Sequence, residues 1–294
     1  MSAARPLRDF AGPLRGLPAG RAASLHGAIA NSILEGWAPT VVDVERLAAM
    51  ADGAVPLGRY VDEAVERALA AATELGAPDC VDHPAGFPDT VYPDTRVLRN
   101  RFGIRDPEAL RQLEFEVGTA QEFGIETGLT TLPETFDGGH LSLIHRTLFG
   151  VLYPWAGVFR KYDMALGHTT FHSNWIGRYL GDAAKMLNHR LPHQPIELLG
   201  EKRDRQHYAR QAAEAYAYLN CAHPFREGNG RSSKTLLQVL AAKAGYRLDY
   251  SAVTKKQWDT ASRRSAPDFG HYRPDAHPLF AVFTAITGPL HVAV

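Results

Sequence analysis

The sequence predicts an all-α fold, and three observations carry that prediction. Apolar residues recur at helical spacing near the start of the chain, in AASLHGAIANSILEG, VVDVERLAAMADG and RYVDEAVERALAAA. Alanine- and leucine-rich runs follow in the second half, in HYARQAAEAYAYLNCA and SKTLLQVLAAKAG. Helix punctuation brackets these runs, with an Asp-Pro start at Asp106-Pro107 and glycine stops at Gly36 and Gly245.

Residues 1–20 are arginine-rich and acid-poor, like a transit peptide, but their prolines and glycines break any amphipathic helix; a disordered tail is expected. In 22–36, Leu25, Ile29, Ile33 and Leu34 form one apolar stripe and Gly36 stops the helix. Two further helices follow, divided by Gly53 and by Pro56-Leu57-Gly58, so that 21–76 reads as a three-helix domain. The stretch 77–97 is proline-rich and aperiodic and reads as a linker, leaving 98–294 as a second domain. Asp106 is the expected N-cap and Pro107 the first residue of a core helix over 106–129. The helix in HYARQAAEAYAYLNCA ends before Pro224, and the helix containing Leu236, Leu237, Leu240, Ala241 and Ala244 ends at Gly245.

Composition narrows the function classes. The chain has 294 residues, 45% of them hydrophobic, enough to bury a substantial core. Its 32 basic residues balance 32 acidic ones, so nothing in the total charge points to nucleic acid or a membrane surface. No apolar run reaches the roughly 18 residues of a membrane span. The 2 cysteines, Cys80 and Cys221, cannot build a disulfide framework, and a cytoplasmic location with reduced thiols is expected. Cys221 reads as a small buried side chain and not a nucleophile.

The chemistry concentrates in residues 223–234, HPFREGNGRSSK, a loop that opens a helix. His223 is placed to take a hydroxyl proton. Glu227 suits a hard divalent ion such as Mg2+. Gly228-Asn229-Gly230 lets the backbone approach an anion, and the N-terminus of the following helix offers free N–H groups and a favourable dipole. Arg231 and Lys234, three apart, fall on one side of the first turn within reach of phosphate oxygens. Together these groups suit transfer of a phosphate-bearing fragment to a hydroxyl.

This string resembles the signature of the Fic family, His-x-Phe-x-Asp/Glu-Gly-Asn-Gly-Arg-x-x-Arg. LRNRFGI at 98–104, HLSLIHRTLFGVLYPWAGVFR at 140–160, YLN at 218–220 and AGYRLDY at 244–250 also resemble that family, over roughly 92–250. The resemblance implies a Fic-fold helical core and transfer of AMP from ATP to a Ser, Thr or Tyr hydroxyl of a target protein. It makes His223 the base and Phe225 the core anchor of the loop. It makes Glu227 the Mg2+ ligand, assigns Gly228, Asn229 and Gly230 to the α- and β-phosphates, and gives Arg231 the β-phosphate. Lys234 stands where the family has a second arginine that meets the γ-phosphate. Lysine keeps the charge but loses the planar bidentate fork, so another nucleotide donor stays open.

The three-helix segment resembles the small antitoxins that pair with some Fic proteins, whose inhibitory helix carries Ser/Thr-x-x-x-Glu-Gly/Asn. Here the glutamate is Glu35 and the glycine Gly36; Asn31 takes the serine position, with Ser32 one residue late. By resemblance, Glu35 pairs with Lys234 and fills the γ-phosphate space, with weaker inhibition than an arginine partner would give. The family further implies a β-hairpin flap over 160–172, with Gly167 at its tip, that aligns the target. His168 and His172 have metal-like spacing but fall in this flap without a third ligand, so no zinc is expected. His140 and His145 read as scaffold, and Trp155 and Phe159 as core. A phosphorylating relative would replace Gly230 by lysine, which argues against that chemistry. Transfer of phosphocholine and a catalytically silent nucleotide-binding module both stay open. The implied partners are ATP and a protein with an accessible hydroxyl, with bacterial topoisomerase ATPase subunits as a candidate target; neither a membrane nor direct nucleic acid is expected.

Overall fold

The computed structural model describes residues 10–76, 90–167, 169–193, 205–268 and 271–290. Helices dominate these residues, and the strands among them form two small two-stranded sheets. The chain divides into two units, one of residues 1–131 with 145–158 and the other of 132–144 with 159–294.

The first unit holds α1 (Ala11–Leu14), α2 (Ala19–Leu34), α3 (Val41–Asp52), α4 (Leu57–Ala71) and α5 (Pro107–Glu126). Local sequence explains each boundary. Gly36 adopts φ +104 just beyond α2, where its missing Cβ permits the turn. Thr40 and Asp43 close a reciprocal capping box at the start of α3. Asp106 accepts hydrogen bonds from the N–H groups of Glu108 and Ala109, with Pro107 opening α5 as the sequence predicts. α5 is buried along most of its length, and α2, α3 and α4 pack against it. Leu25 and Ile29 of α2 are sealed off from solvent, each worth about 1.5–3 kcal/mol of apolar burial.

One expectation changes here. Within the stretch 1–20, residues 1–9 lie outside the described residues, but Phe10 and Leu14 are buried and α1 packs on α3. The proline–glycine punctuation shortens the helix to one turn without preventing its apolar residues from docking. Of the linker, 77–89 lies outside the described residues. Residues 90–97 form a packed turn: Tyr92 and Val97 are buried, Val91 pairs with Leu98, and Arg99 N–H donates to the Thr90 carbonyl at 2.8 Å. Cys80 also lies outside the described residues.

α6 (Gly138–Phe149) passes from the second unit into the first. Its histidines serve the scaffold. The Phe136 N–H donates to His140 Nδ1 at 3.3 Å and the Gly157 N–H donates to His145 Nδ1 at 2.9 Å. Burial lowers the His140 pKa. Trp155 is buried and stacks on Tyr153 with ring centroids 4.6 Å apart.

In the second unit, β1 (Met164–Leu166) and β2 (Thr169–Phe171) form an antiparallel hairpin, with Met164 opposite Phe171 and Gly167 at its tip. α7 (Ile176–His189) and α8 (Arg205–Ala222) pack together, and α8 also packs on α9 (Asn229–Lys243) and on α11 (His277–Ile286). The buried alanines of α8, among them Ala209, Ala212, Ala213 and Ala217, let these neighbours come close at little side-chain entropy cost. α10 (Lys255–Arg264) starts at a Thr254–Gln257 capping box. β3 (Tyr246–Leu248) pairs with β4 (Thr287–Pro289) from the far end of the described chain.

Candidate active site

The site is built where α8 ends and α9 begins, all within the second unit. His223 follows α8 directly with φ +38, a backbone region that non-glycine residues seldom enter. Strain of this kind persists only where the surroundings hold it, and here Arg160 does so. Its guanidinium is buried and donates to the His223 carbonyl through Nε at 2.8 Å, to the Ala222 carbonyl through Nη2 at 3.4 Å and to the Tyr162 carbonyl through Nη1 at 2.5 Å. The Arg160 N–H adds a bond to the Pro224 carbonyl at 2.8 Å. Burial lowers the Arg160 pKa, yet an arginine stays charged at any working pH.

Phe225 is fully buried and its ring meets Phe159 with centroids 5.4 Å apart. Phe225 is thus packed inside the loop, while Phe159, expected in the core, is only half-buried. The Asn229 side chain closes the loop behind it: the Phe225 N–H donates to Oδ1 at 2.8 Å, and Nδ2 donates to the Phe225 carbonyl at 2.9 Å. The Asn229 amide is therefore committed to the loop, and it is the backbone of Asn229 that lies at the helix N-terminus. Gly228, at φ +76, is the N-cap residue of α9. The first helical bond runs from the Ser232 N–H to the Gly228 carbonyl at 3.0 Å, so the preceding N–H groups have no partner in the helix ladder and suit an anion.

Glu227 is half exposed; its Oε1 accepts the Gly228 N–H at 3.1 Å and lies 4.0 Å from Arg231 Nη2. Among the described residues no group of three His, Cys, Asp or Glu side chains could hold a metal ion. A lone carboxylate beside an anion-binding turn still fits Mg2+, which keeps several waters and binds through one or two carboxylates plus substrate phosphates. Gly230 and Arg231 sit in the first turn of α9, with Arg231 buried. Lys234, one turn on, is sealed from solvent, its ammonium 5.7 Å from the Tyr250 ring centroid and 5.2 Å from that of Trp258. Tyr250 also donates its hydroxyl to the Lys234 carbonyl at 3.0 Å. Burial pushes the Cys221 thiol up to about 12, which keeps it protonated and unreactive.

The hairpin stands beside the loop. Phe171 of β2 stacks on the His223 imidazole with centroids 4.2 Å apart and planes 23° apart. Asp163, just before β1, accepts from the Ser173 N–H at 2.7 Å and the Ser173 hydroxyl at 3.0 Å, and meets His172 Nδ1 at 2.8 Å. The Ser173 N–H and the His172 ring hold the Asp163 carboxyl down at about 2. His172 is thus engaged at the base of the hairpin, while His168 lies outside the described residues.

Glu35 and Asn31 belong to the first unit. Glu35 is the C-cap of α2. Asn31 is buried and its Nδ2 donates to both carboxylate oxygens of Glu122, at 2.7 and 2.9 Å, while Ser32 and Thr119 share a hydroxyl bond of 2.8 Å. Both polar residues near the expected inhibitory position therefore face α5 and tie α2 to it.

Sequence reasoning does not find Arg160, Asp163, Phe171, Tyr250 or Trp258. Arg160 ends the Gly-Val-Phe-Arg segment 63 residues before His223, and no local pattern connects the two.

Comparisons with known proteins show what this chain is similar to. The Fic/DOC family model matches residues 135–241. The chain is 33% identical over 174 residues to protein adenylyltransferase VbhT of Bartonella schoenbuchensis, covering 59% of this chain and 34% of that protein. It is 30% identical over 178 residues to the probable protein adenylyltransferase Fic of Escherichia coli K12, covering 60% of this chain and 83% of that protein. The chain spans about a third of the length of the two Bartonella adenylyltransferases it matches. The crystal structure of the BepC protein of Bartonella tribocorum with bound AMPPNP superposes with a TM-score of 0.57 at 28% identity, over 68% of this chain and 96% of that one. An N-terminal Fic domain from Bartonella quintana with bound ADP gives 0.58 at 27% identity, over 68% and 94%.

Proposed function

The chain belongs to the Fic/DOC family, and we propose that it is a protein adenylyltransferase restrained by its own N-terminal helices. The observation that carries the reading is the arrangement of His223 beside the open N-terminus of α9, within one loop closed by Asn229. Relatives named adenylyltransferases and Fic structures holding AMPPNP or ADP support ATP as the donor.

In this reading the target hydroxyl gives its proton to His223 as its oxygen attacks the α-phosphorus. A new P–O bond forms to the target, the bond to the β-phosphate oxygen breaks, and pyrophosphate leaves. The N–H groups at the start of α9 stabilise negative charge on the phosphates, and Arg231 holds the β-phosphate. Glu227 would hold Mg2+, which when bound would supply neutralisation of negative charge on the phosphates. The hairpin offers backbone to an extended target segment, which positions a hydroxyl without a deep pocket. Lys234 takes the γ-phosphate in place of arginine.

Regulation is the finer part of the proposal. Lys234 is shut off from solvent, so a γ-phosphate reaches it only after its surroundings move. We assign Glu35 as the residue that competes for that position, with Asn31 fixing α2 through Glu122. An antitoxin-like role for residues 21–76 and topoisomerase ATPase subunits as targets complete the proposal.

The test is label transfer from ATP in cell lysate with Mg2+, comparing α- and γ-labelled donor. Wild type, Glu35→Gly and Glu35→Gly/His223→Ala are compared. Label from the α-position only, strong in Glu35→Gly and lost in the double variant, is expected. Equal labelling by wild type and Glu35→Gly removes the inhibition; label from the γ-position removes AMP transfer. A derepressed variant that labels other proteins but not purified topoisomerase subunits removes that target.

A further inference from the structure

Two features bind the hairpin to the catalytic loop from within the second unit. Arg160 bonds the Tyr162 carbonyl at the hairpin root and the His223 carbonyl through one guanidinium. Asp163 then ties the ends of the two strands together through His172 and Ser173. A hairpin with three residues per strand is too short to hold its own register in water. The clasp supplies that register, and the register decides that Phe171, opposite Met164, is the residue presented to His223.

The contact itself is specific. The Phe171 ring lies almost parallel to the imidazole at 4.2 Å, so it covers one ring face and limits rotation of the side chain. His223 has a strained backbone at the end of α8, its N–H donating to the Leu219 carbonyl at 3.3 Å. A base must lie within hydrogen-bond reach of the proton it takes, and a small misplacement is costly.

We propose that Phe171 is a positioning residue for the His223 imidazole, held there by the Asp163 clasp, so that the hairpin orients the base as well as the target. The inference rests on His223 being the base.

Two measurements test it on the full chain. In wild-type protein with labelled histidine, the His223 ring protons should be shifted by the Phe171 ring current, and Phe171→Leu should abolish that shift while thermal unfolding stays unchanged. In the Glu35→Gly background, Phe171→Leu should slow label transfer at saturating ATP about tenfold, with half-saturation by ATP unchanged, and Phe171→Tyr should restore the rate to within about twofold. Absence of the ring-current shift overturns the proposal. So does an unchanged rate in Phe171→Leu where His223→Ala abolishes transfer. Transfer that survives His223→Ala overturns instead the assignment of His223 as base, and the ring-current result then still reports whether the stack exists.

Discussion

The catalytic loop and the hairpin serve one site, yet they are held by opposite means. The loop is fastened through buried backbone groups: Arg160 takes carbonyls of residues 222 and 223, and Asn229 takes both backbone groups of Phe225. The two strands of the hairpin are tied at their ends by side chains in solvent, with Asp163 and His172 each about half exposed, and the buried Arg160 reaches only the Tyr162 carbonyl at the root. Buried hydrogen bonds are costly to lose because their partners stay dry, whereas exposed ones are replaced by water. By this argument the loop should open only at high cost, and the Asp163 clasp at much lower cost. Under the proposed function, the difference suits a fixed phosphate site facing a variable protein target.

Substitutions sharpen this contrast. The largest effect is expected at Phe225→Ala, which empties a fully buried site and should cost about 3–5 kcal/mol in denaturant unfolding. Asn229→Ala comes next, leaving the Phe225 N–H and carbonyl without the amide that meets them, at about 1–3 kcal/mol for each group that stays dry, and nucleotide binding should weaken with it. Asp163→Asn should leave the unfolding midpoint nearly unchanged while slowing transfer, because only an exposed clasp is lost. A large loss of stability in Asp163→Asn, or none in Asn229→Ala, would break the comparison.

The pH dependence of the clasp has a definite sign. The Asp163 pKa is lowered from 3.8 to about 2 by its bonds in the folded state. Its contribution is present in full above 3.8 and is lost as the pH falls through about 2. From neutral to mildly acid pH the Asp163 side of the clasp should not titrate, which side-chain carboxylate resonances would check directly.

Much of this molecule is legible in short stretches of sequence. Asp106-Pro107, the Thr40–Asp43 box and Gly36 set helix ends through bonds and torsions within a few residues. The segment 223–234 announces a loop opening a helix because its glycines, histidine and cations lie together in the chain. Over residues 10–20 the sequence misleads, since local breakers say nothing about whether Phe10 finds a distant surface to bury against. The pairing of β3 with β4 is hidden for the same reason, joining segments far apart in the chain. The bonding of the Asn229 side chain to both backbone groups of Phe225 is not legible in the sequence, because it depends on the curvature of the folded loop.

By itself the sequence determined the helical class, the place of the candidate site and the residue types available for its chemistry, because these depend on neighbours in the chain. Only the tertiary structure decided that Arg160 supports the strained His223, that Phe171 faces its ring, and that Lys234 is enclosed by Tyr250 and Trp258. Those relations join residues far apart in the chain, and their energies exist only once packing has excluded water from between them.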